Sequence, residues 1–500
     1  MASNDEQQPL HVLFFPFVAP GHLIPVADMA ALFASHGVKC TILTTPVNAA
    51  VIRSAVDRAN DAVRGTGAPA IGISTVPFPD VGLPPGVESV VEISLEADRF
   101  RLLEAIRLLR EPFDRFLADH RPDAVVADSF YPWSTAAAAE HGIPRLSFLG
   151  TSMFARACNA SLLRSNPLEG LPPDDPDAVV SLPGLPHRVT LRRGQVMDPR
   201  KNELEWNYEK LINAADQRSY GEVFNSFAQL EPDYVEHYHT TLGRRVWLVG
   251  PAGHASEDLA ARGGAGGLAP EAEMCLRWLD EKPDGSVVFI SFGTLTRFTA
   301  AELWEVARGL QQSGRNFVWV MSESDTDASQ WMPEGFAELI DPGEHGFIFW
   351  GWAPQRLILN HSAVGGFVTH CGWNSVLEAV SAGVPLVTWP RYGDQFYNEK
   401  LILEVLKIGV SVGARFSASK LEDRSEVING EKIAEGIDRV MGGDEEAEAI
   451  RKKAVDLRGK ARSAVEKGGS SYDDVEQLIT ELMARRSSVN DDFYGDQLAC

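Results

Sequence analysis

Residues 352–395 read WAPQRLILNHSAVGGFVTHCGWNSVLEAVSAGVPLVTWPRYGDQ. Two apolar runs, GGFVTH (365–370) and VPLVTW (384–389), flank NSVLEAVSAG, which has helical spacing and ends in Gly383 just before Pro385. Apolar strands without alternation, joined by a helix, are parallel strands covered on both faces. The first run leads into HCGWNS. Backbone N–H groups, Asn374 and Ser375 therefore collect at a helix N-terminus, where aligned peptide dipoles favour an anion such as a phosphate. Cations are sparse here, only Arg356 and Arg391. A pyrophosphate would rely on amide dipoles, hydroxyls and His370 rather than on a basic clamp. Ser291 and Thr294, in SFGT, end another strand and offer further donors. Arg391 has no role that the sequence assigns.

The same alternation runs outward from this segment in both directions. Strands are expected at 286–293, 316–322, 346–352, 365–370 and 384–389, and earlier at 11–17, 39–45, 72–78, 124–129, 145–150 and 246–251. Between the two series lies a Gly- and Ala-rich stretch with no apolar period, AGHASEDLAARGGAGGLAP. The expectation is an α/β protein with two Rossmann-like domains, their parallel sheets facing a cleft. The first domain covers 1–252, a linker 253–270 and the second domain 271–470. A helix follows over 471–486 and a polar tail over 487–500.

The formal charge of −23 over 500 residues disfavours nucleic acid and anionic membrane as partners. The first residues, MASNDEQQPL, lack the cationic and apolar regions of a secretory signal, and no run of 18 apolar residues occurs. The five cysteines (40, 158, 275, 371 and 500) are widely spaced with no CxxC, which suits a reducing compartment. A cytoplasmic monomer is the expectation, with the sequons at Asn159 and Asn360 read as chance matches.

His22, in PGHLIP, follows the first strand where a helix begins, and Asp128 closes the strand AVVADS. Both fall at the C-terminal edge of a parallel sheet, where ligands bind. Singly, either reads as well as a helix cap or a core residue. Phe130, Trp133, Phe148, Gly150 and Thr151 follow nearby strand ends and offer apolar walls, or core.

The whole of 352–395, end to end without a gap, resembles the signature segment of the plant secondary-product UDP-glycosyltransferases, glycosyltransferase family 1. FPFVAPGHLIP, ADSFYPW, NSFAQLEPDY, CLRWLD and SFGT resemble further blocks of that family. The resemblance implies a GT-B fold whose last helix crosses back onto the first domain, with UDP-glucose as co-substrate and no cofactor or metal. By motif position, Trp352 stacks on uracil and the Ala353 backbone bonds its edge. Gln355 and Glu378 hold the ribose; His370, Asn374 and Ser375 hold the diphosphate, with Ser291 and Thr294 beside them. Trp373, Asp394 and Gln395 contact the sugar and Thr151 reaches it. Gln395 with Trp373 resembles the glucose-preferring pattern. His22 is the base and Asp128 its orienter; Phe130, Trp133 and Gly393 line the acceptor pocket with His22. Gly393 stands where the family often has Ala, which implies a roomier pocket. The function implied is inverting O-glucosylation of a small lipophilic metabolite (a flavonoid or other phenolic, a triterpenoid, a steroid or a hormone), giving a β-glucoside and UDP.

Three other readings are weaker. A GxSxG occurs at Gly409, Ser411 and Gly413, but a helical pattern precedes it where a nucleophile elbow needs a strand. No GxGxxG follows a strand, which argues against a dinucleotide oxidoreductase. A catalytically inactive UDP-sugar-binding protein would need a lost base or donor contact. DxD-like triplets at Asp175–Asp177 and Asp325–Asp327 read as solvated charge.

Overall fold

The computed structural model describes residues 8–93, 96–254, 269–322, 327–340, 345–417 and 426–498. The expected linker therefore lies almost wholly outside the described residues, as does Asp325 of the second acidic triplet.

The first half supplies β1 (His11–Phe15), β2 (Lys39–Thr44), β3 (Gly72–Thr75), β4 (Ala124–Asp128) and β5 (Arg145–Phe148). A hairpin, β6 (Val179–Leu182) with β7 (Val189–Arg192), precedes β8 (Gly221–Phe224) and β9 (Val246–Leu248). The main sheet is seven-stranded and parallel, in the order β3-β2-β1-β4-β5-β8-β9. The second half supplies β10 (Val287–Ser291), β11 (Asn316–Met321), β12 (Gly346–Trp350), β13 (Val364–Thr369), β14 (Leu386–Thr388) and β15 (Gly409–Ser411). These form a parallel sheet in the order β12-β11-β10-β13-β14-β15.

In both sheets the chain starts centrally, runs to one edge, then returns to build the other side. Each sheet thus has a switch point, at β1/β4 and at β10/β13, where neighbouring loops diverge and leave a crevice. The central strands are apolar because helices cover both faces: Val12 to Phe15 and Val287 to Ile290 are all buried.

The two halves make direct contacts. The helix Ser470–Leu498 runs past residue 486, where the sequence reading ended it. It buries Val475, Leu478 and Leu482 in the core of the first sheet, and Asp474 accepts a hydrogen bond from the Leu248 N–H at 2.7 Å. Its polar continuation beyond 486 still has helical spacing and no Pro or early Gly to stop it, which is why it extends.

Two features of the first half escaped the sequence reading. β8 is four residues long, and β6–β7 lies outside the main sheet. Gly409 to Ser411 of the GxSxG form strand β15, and Ser411 Oγ donates to Glu399 Oε1 at 2.7 Å. A serine inside a sheet strand, with its hydroxyl already spent, is no nucleophile elbow.

Candidate active site

β1 and β4 are adjacent and parallel, with Phe15 opposite Ala127, so both strands end at the same level. Beyond β1, Pro20 opens the helix Pro20–Ser35 at a position where its missing N–H costs nothing. His22 lies in the first turn, its N–H bonded to the Ala19 carbonyl at 2.9 Å. The imidazole thereby meets Asp128 at the end of β4, Nδ1 to Oδ2 at 2.7 Å. The other carboxylate oxygen accepts the Phe130 N–H at 3.0 Å. Asp128 is fully enclosed, whereas the imidazole keeps 21 % exposure, towards the cleft. An ionised Asp128 holds the proton on Nδ1 and leaves Nε2 as the basic atom.

Burial lowers the His22 pKa, but the charge and hydrogen bond of Asp128, with a smaller push from Asp394, outweigh it. The net shift is upward. The helix N-terminus favours the neutral ring, but a carboxylate at 2.7 Å is stronger than the partial charge of one helix end. Arg145 braces the end of β4. It donates to Asp216 at 2.6 Å and to the carbonyls of Ala127 and Asp128 at 3.3 and 3.2 Å.

The other wall of the cleft comes from the second switch point. β10 and β13 end together, Ser291 opposite Thr369, so the SFGT and HCGWNS loops leave side by side. His370 is squeezed between two glycines. A Cβ on Gly372 would stand 2.4 Å from its Nε2, and one on Gly293, whose φ is +72°, would stand 2.8 Å away. Burial pulls the His370 pKa down to about 4. It therefore offers an N–H and not a positive charge, and Nδ1 has no partner among the described residues. Cys371 adopts φ +66° and turns the chain into the helix Trp373–Ala382.

A cleft of about 1080 Å³ joins the two walls. It is lined by His22, Phe130, Thr151, Ser291, Thr294, Trp352, Ala353, Gln355, His370, Trp373, Asn374, Ser375, Glu378, Gly393, Asp394 and Gln395. Asp128 stands behind His22. Trp133 is the exception and a correction: it packs on Phe15, Phe113 and Tyr131, and its indole N–H bonds the Ile106 carbonyl at 3.2 Å. It belongs to the core, because the turn after β4 points Phe130 and not Trp133 at the cleft.

Trp352 is 60 % exposed, an open aromatic face. Gln355 Nε2 donates to Ser375 Oγ at 3.0 Å and to Glu378 Oε2 at 2.8 Å, which gathers these three around one spot. Several polar groups span the cleft. Thr151 Oγ1 donates to Asp394 Oδ2 at 2.6 Å, Ser152 Oγ to Asn398 Oδ1 at 2.8 Å and Asn374 Nδ2 to the Gly21 carbonyl at 2.7 Å. The Trp373 indole N–H is spent on the Asn225 carbonyl at 2.8 Å. Gln395 Oε1 accepts the N–H groups of Arg391 and Tyr392 at 2.8 and 3.1 Å. Gly393 has φ +65°, and a Cβ there would meet nothing within 4 Å, so the backbone conformation rather than lack of space favours glycine.

Arg391 is buried, paired with Glu302, and lies over the rings of Phe298 and Trp389. Sequence reasoning also missed Asn225 and Asn398, each of which makes one contact across the cleft and others within its own half. Asp177, of the first acidic triplet, pairs with Arg192 at 2.7 Å on the surface.

Two facing Rossmann-like units with the ligand cleft between them constitute the GT-B architecture. The family described as "UDP-glucoronosyl and UDP-glucosyl transferase" matches residues 211–440. The chain is 42% identical over 488 residues to the UDP-glucose flavonoid 3-O-glucosyltransferase 7 of Fragaria ananassa, covering 95% of this chain and 96% of that one. It is 43% identical to the scopoletin glucosyltransferase of Nicotiana tabacum, over 96% and 99% of the two chains. Among solved structures, Glycyrrhiza uralensis UGT73P12 complexed with glycyrrhetinic acid 3-O-monoglucuronide superposes with a TM-score of 0.89 at 38% identity, over 98% and 99%. Medicago truncatula UGT71G1 complexed with UDP-glucose superposes with a TM-score of 0.77 at 26% identity, over 96% and 99%. The chain belongs to the plant UDP-glycosyltransferases of glycosyltransferase family 1, and it is an enzyme of that class.

Proposed function

We propose that this enzyme transfers glucose from UDP-glucose to a hydroxyl of a small lipophilic plant metabolite, with inversion, giving a β-glucoside and UDP. The observation that carries the proposal is the His22–Asp128 pair at 2.7 Å, whose imidazole opens onto the same cleft as His370 and Asn374. The acceptor classes are those that the relatives' names suggest: flavonoids, coumarin-type phenolics and triterpenoids.

In the proposed mechanism the acceptor hydroxyl docks against Nε2 of His22. As its oxygen attacks the anomeric carbon from the face opposite UDP, Nε2 takes the proton. Asp128 fixes the tautomer and stabilises the imidazolium formed. The leaving diphosphate gains charge, which the N–H groups at the start of Trp373–Ala382, Asn374, Ser375 and the His370 N–H meet. Because His370 is neutral, its contribution is a hydrogen bond. Trp352, Ala353, Gln355 and Glu378 hold the uridine; Trp373, Asp394 and Gln395 line the glucose pocket, with Thr151 fixing Asp394. Residues 1–252 act as the acceptor-binding domain and 271–470 as the donor-binding domain. The enzyme works as a cytoplasmic monomer without a metal. Among the described residues, no helix is long and apolar enough to cross a membrane.

An inactive UDP-sugar-binding protein is the alternative, and the intact His22–Asp128 pair speaks against it. The test is UDP release from UDP-glucose in EDTA, with and without a panel of flavonols, simple phenols, triterpenes and steroids. Acceptor-dependent release is the expected result. UDP binding without release for any acceptor would favour the alternative, and absence of UDP binding would overturn both.

A further inference from the structure

Glu209 lies on the helix Glu203–Asp216 and lines the cleft from the first half of the chain, although the mechanism above gives it no task. Its Oε2 accepts a hydrogen bond from Asn159 Nδ2 at 2.9 Å, and Asn159 also lines the cleft. Among the described residues, Glu209 Oε1 and Asn159 Oδ1 accept no hydrogen bond. Asn202 and Glu205, at the start of the same helix, are exposed; Glu209 is half-buried and enclosed by the cleft wall. Phe130, Val196 and Met197 line the same cleft and are apolar, while Arg156, Tyr397 and Asp394 line it as polar neighbours of Glu209.

The neighbouring cation does not satisfy the carboxyl. Arg156 is buried and its guanidinium is engaged elsewhere, with Asp216 at 2.5 Å and Glu222 at 3.7 Å. Burial pushes the Glu209 carboxyl above its ordinary range; Arg156 and Asn159 only partly offset this. A carboxyl with an open acceptor oxygen, beside an amide with an open carbonyl on the wall of a ligand cleft, is a pair that a ligand can complete. Both open atoms accept, so the group that completes them is a donor.

We infer that Glu209 and Asn159 form a second polar subsite of the acceptor pocket, which binds a hydroxyl of the acceptor other than the one glucosylated. This rests on the acceptor reading proposed above. It makes Glu209 a specificity-determining residue that favours acceptors with at least two hydroxyls and disfavours those with a carboxylate at that end. A site built to bond a hydroxyl discriminates strongly against the analogue lacking it, because its own polar groups are then left unpaired.

The test compares kcat/KM for a polyhydroxylated flavonol and a dihydroxylated triterpene with analogues each lacking one hydroxyl. Wild type, Glu209→Gln, Glu209→Ala and Asn159→Ala are measured, with UDP affinity by calorimetry as the check on folding. In wild type, deleting one particular hydroxyl is expected to lower kcat/KM about 10-fold or more, through KM. In Glu209→Ala the same deletion is expected to change it less than about 2-fold, with Glu209→Gln in between. Equal costs in wild type and in both alanine variants would overturn the subsite while leaving the proposed function standing. If Glu209→Ala alone loses UDP affinity, the Asn159→Ala comparison decides. Absence of transfer by wild type to every acceptor would overturn the acceptor reading and this inference with it.

Discussion

Two histidines, one in each half, are driven in opposite directions by their surroundings. His22 has a buried carboxylate at 2.7 Å and its pKa rises; His370 has only burial and its pKa falls to about 4. A base must be deprotonated to act, so the acid limb of kcat/KM is expected above the ordinary histidine value of about 6.5, activity rising with pH through it. In Asp128→Asn the larger raising contributions go, while burial and the smaller push from Asp394 remain, so the His22 pKa, read by NMR titration, is expected to drop. An unchanged value would show that Asp128 is not what sets it. Linkage gives the opposite sign for stability. The raised pKa stabilises the fold fully below the unfolded value of about 6.5, and that contribution is lost as pH climbs through the folded value. His22→Ala is expected to lower kcat by about 10²–10⁴-fold with UDP affinity nearly intact; normal turnover would remove His22 from the chemistry. Gly372→Ala drives a methyl into His370 Nε2 at 2.4 Å, so a donor KM raised about 10-fold or more is expected, with the acceptor KM little changed. Both histidines could be picked out in the sequence because strand ends and helix starts mark them. Their protonation states could not, because these depend on partners 106 residues away or on burial alone.

Most strands, including the three-residue β9 and β14, fall inside runs that the sequence marks as apolar, while β8 and β15 do not. β8, with four residues, and β15, with three, are strands because the neighbouring strand offers a ladder, not because GEVF or GVS demands one. Arg391 shows the same dependence. It follows β14, and its partner Glu302 caps the helix Ala300–Ser313 through the Thr299 N–H at 2.9 Å. The pair ties the loop of Asp394 and Gln395 to the helix that follows SFGT. Arg391→Met strands a buried carboxylate, so a loss of about 3–5 kcal/mol in urea unfolding is expected, with less lost in Arg391→Met/Glu302→Gln. Equal losses in both would show that the charge pairing is not the cause.

At the scale of the molecule, the halves are joined by the hydrogen bonds across the cleft and by the C-terminal helix. Leu478 has no exposed surface and packs in the first-sheet core, more than two hundred residues along the chain from β9. Leu478→Ala is expected to destabilise the first half by about 2–5 kcal/mol, seen as a lower urea midpoint of fluorescence from Trp247, which shares that core. A midpoint equal to wild type would mean the helix is only loosely docked. The two parallel α/β units, the helix start after β13 and the residues at both strand-end clusters are legible in the sequence alone, since periodicity, caps and spacing are local. Tertiary contacts alone make Trp133 core and Phe130 cleft wall, let Trp373 and Asn374 bond the opposite half, bring Arg391 to Glu302, and set Glu209 beside Asn159 on the cleft wall. The physical reason is that burial, pKa and unpaired polar atoms belong to the neighbours a residue acquires in space, and the order of the chain does not specify those residue by residue.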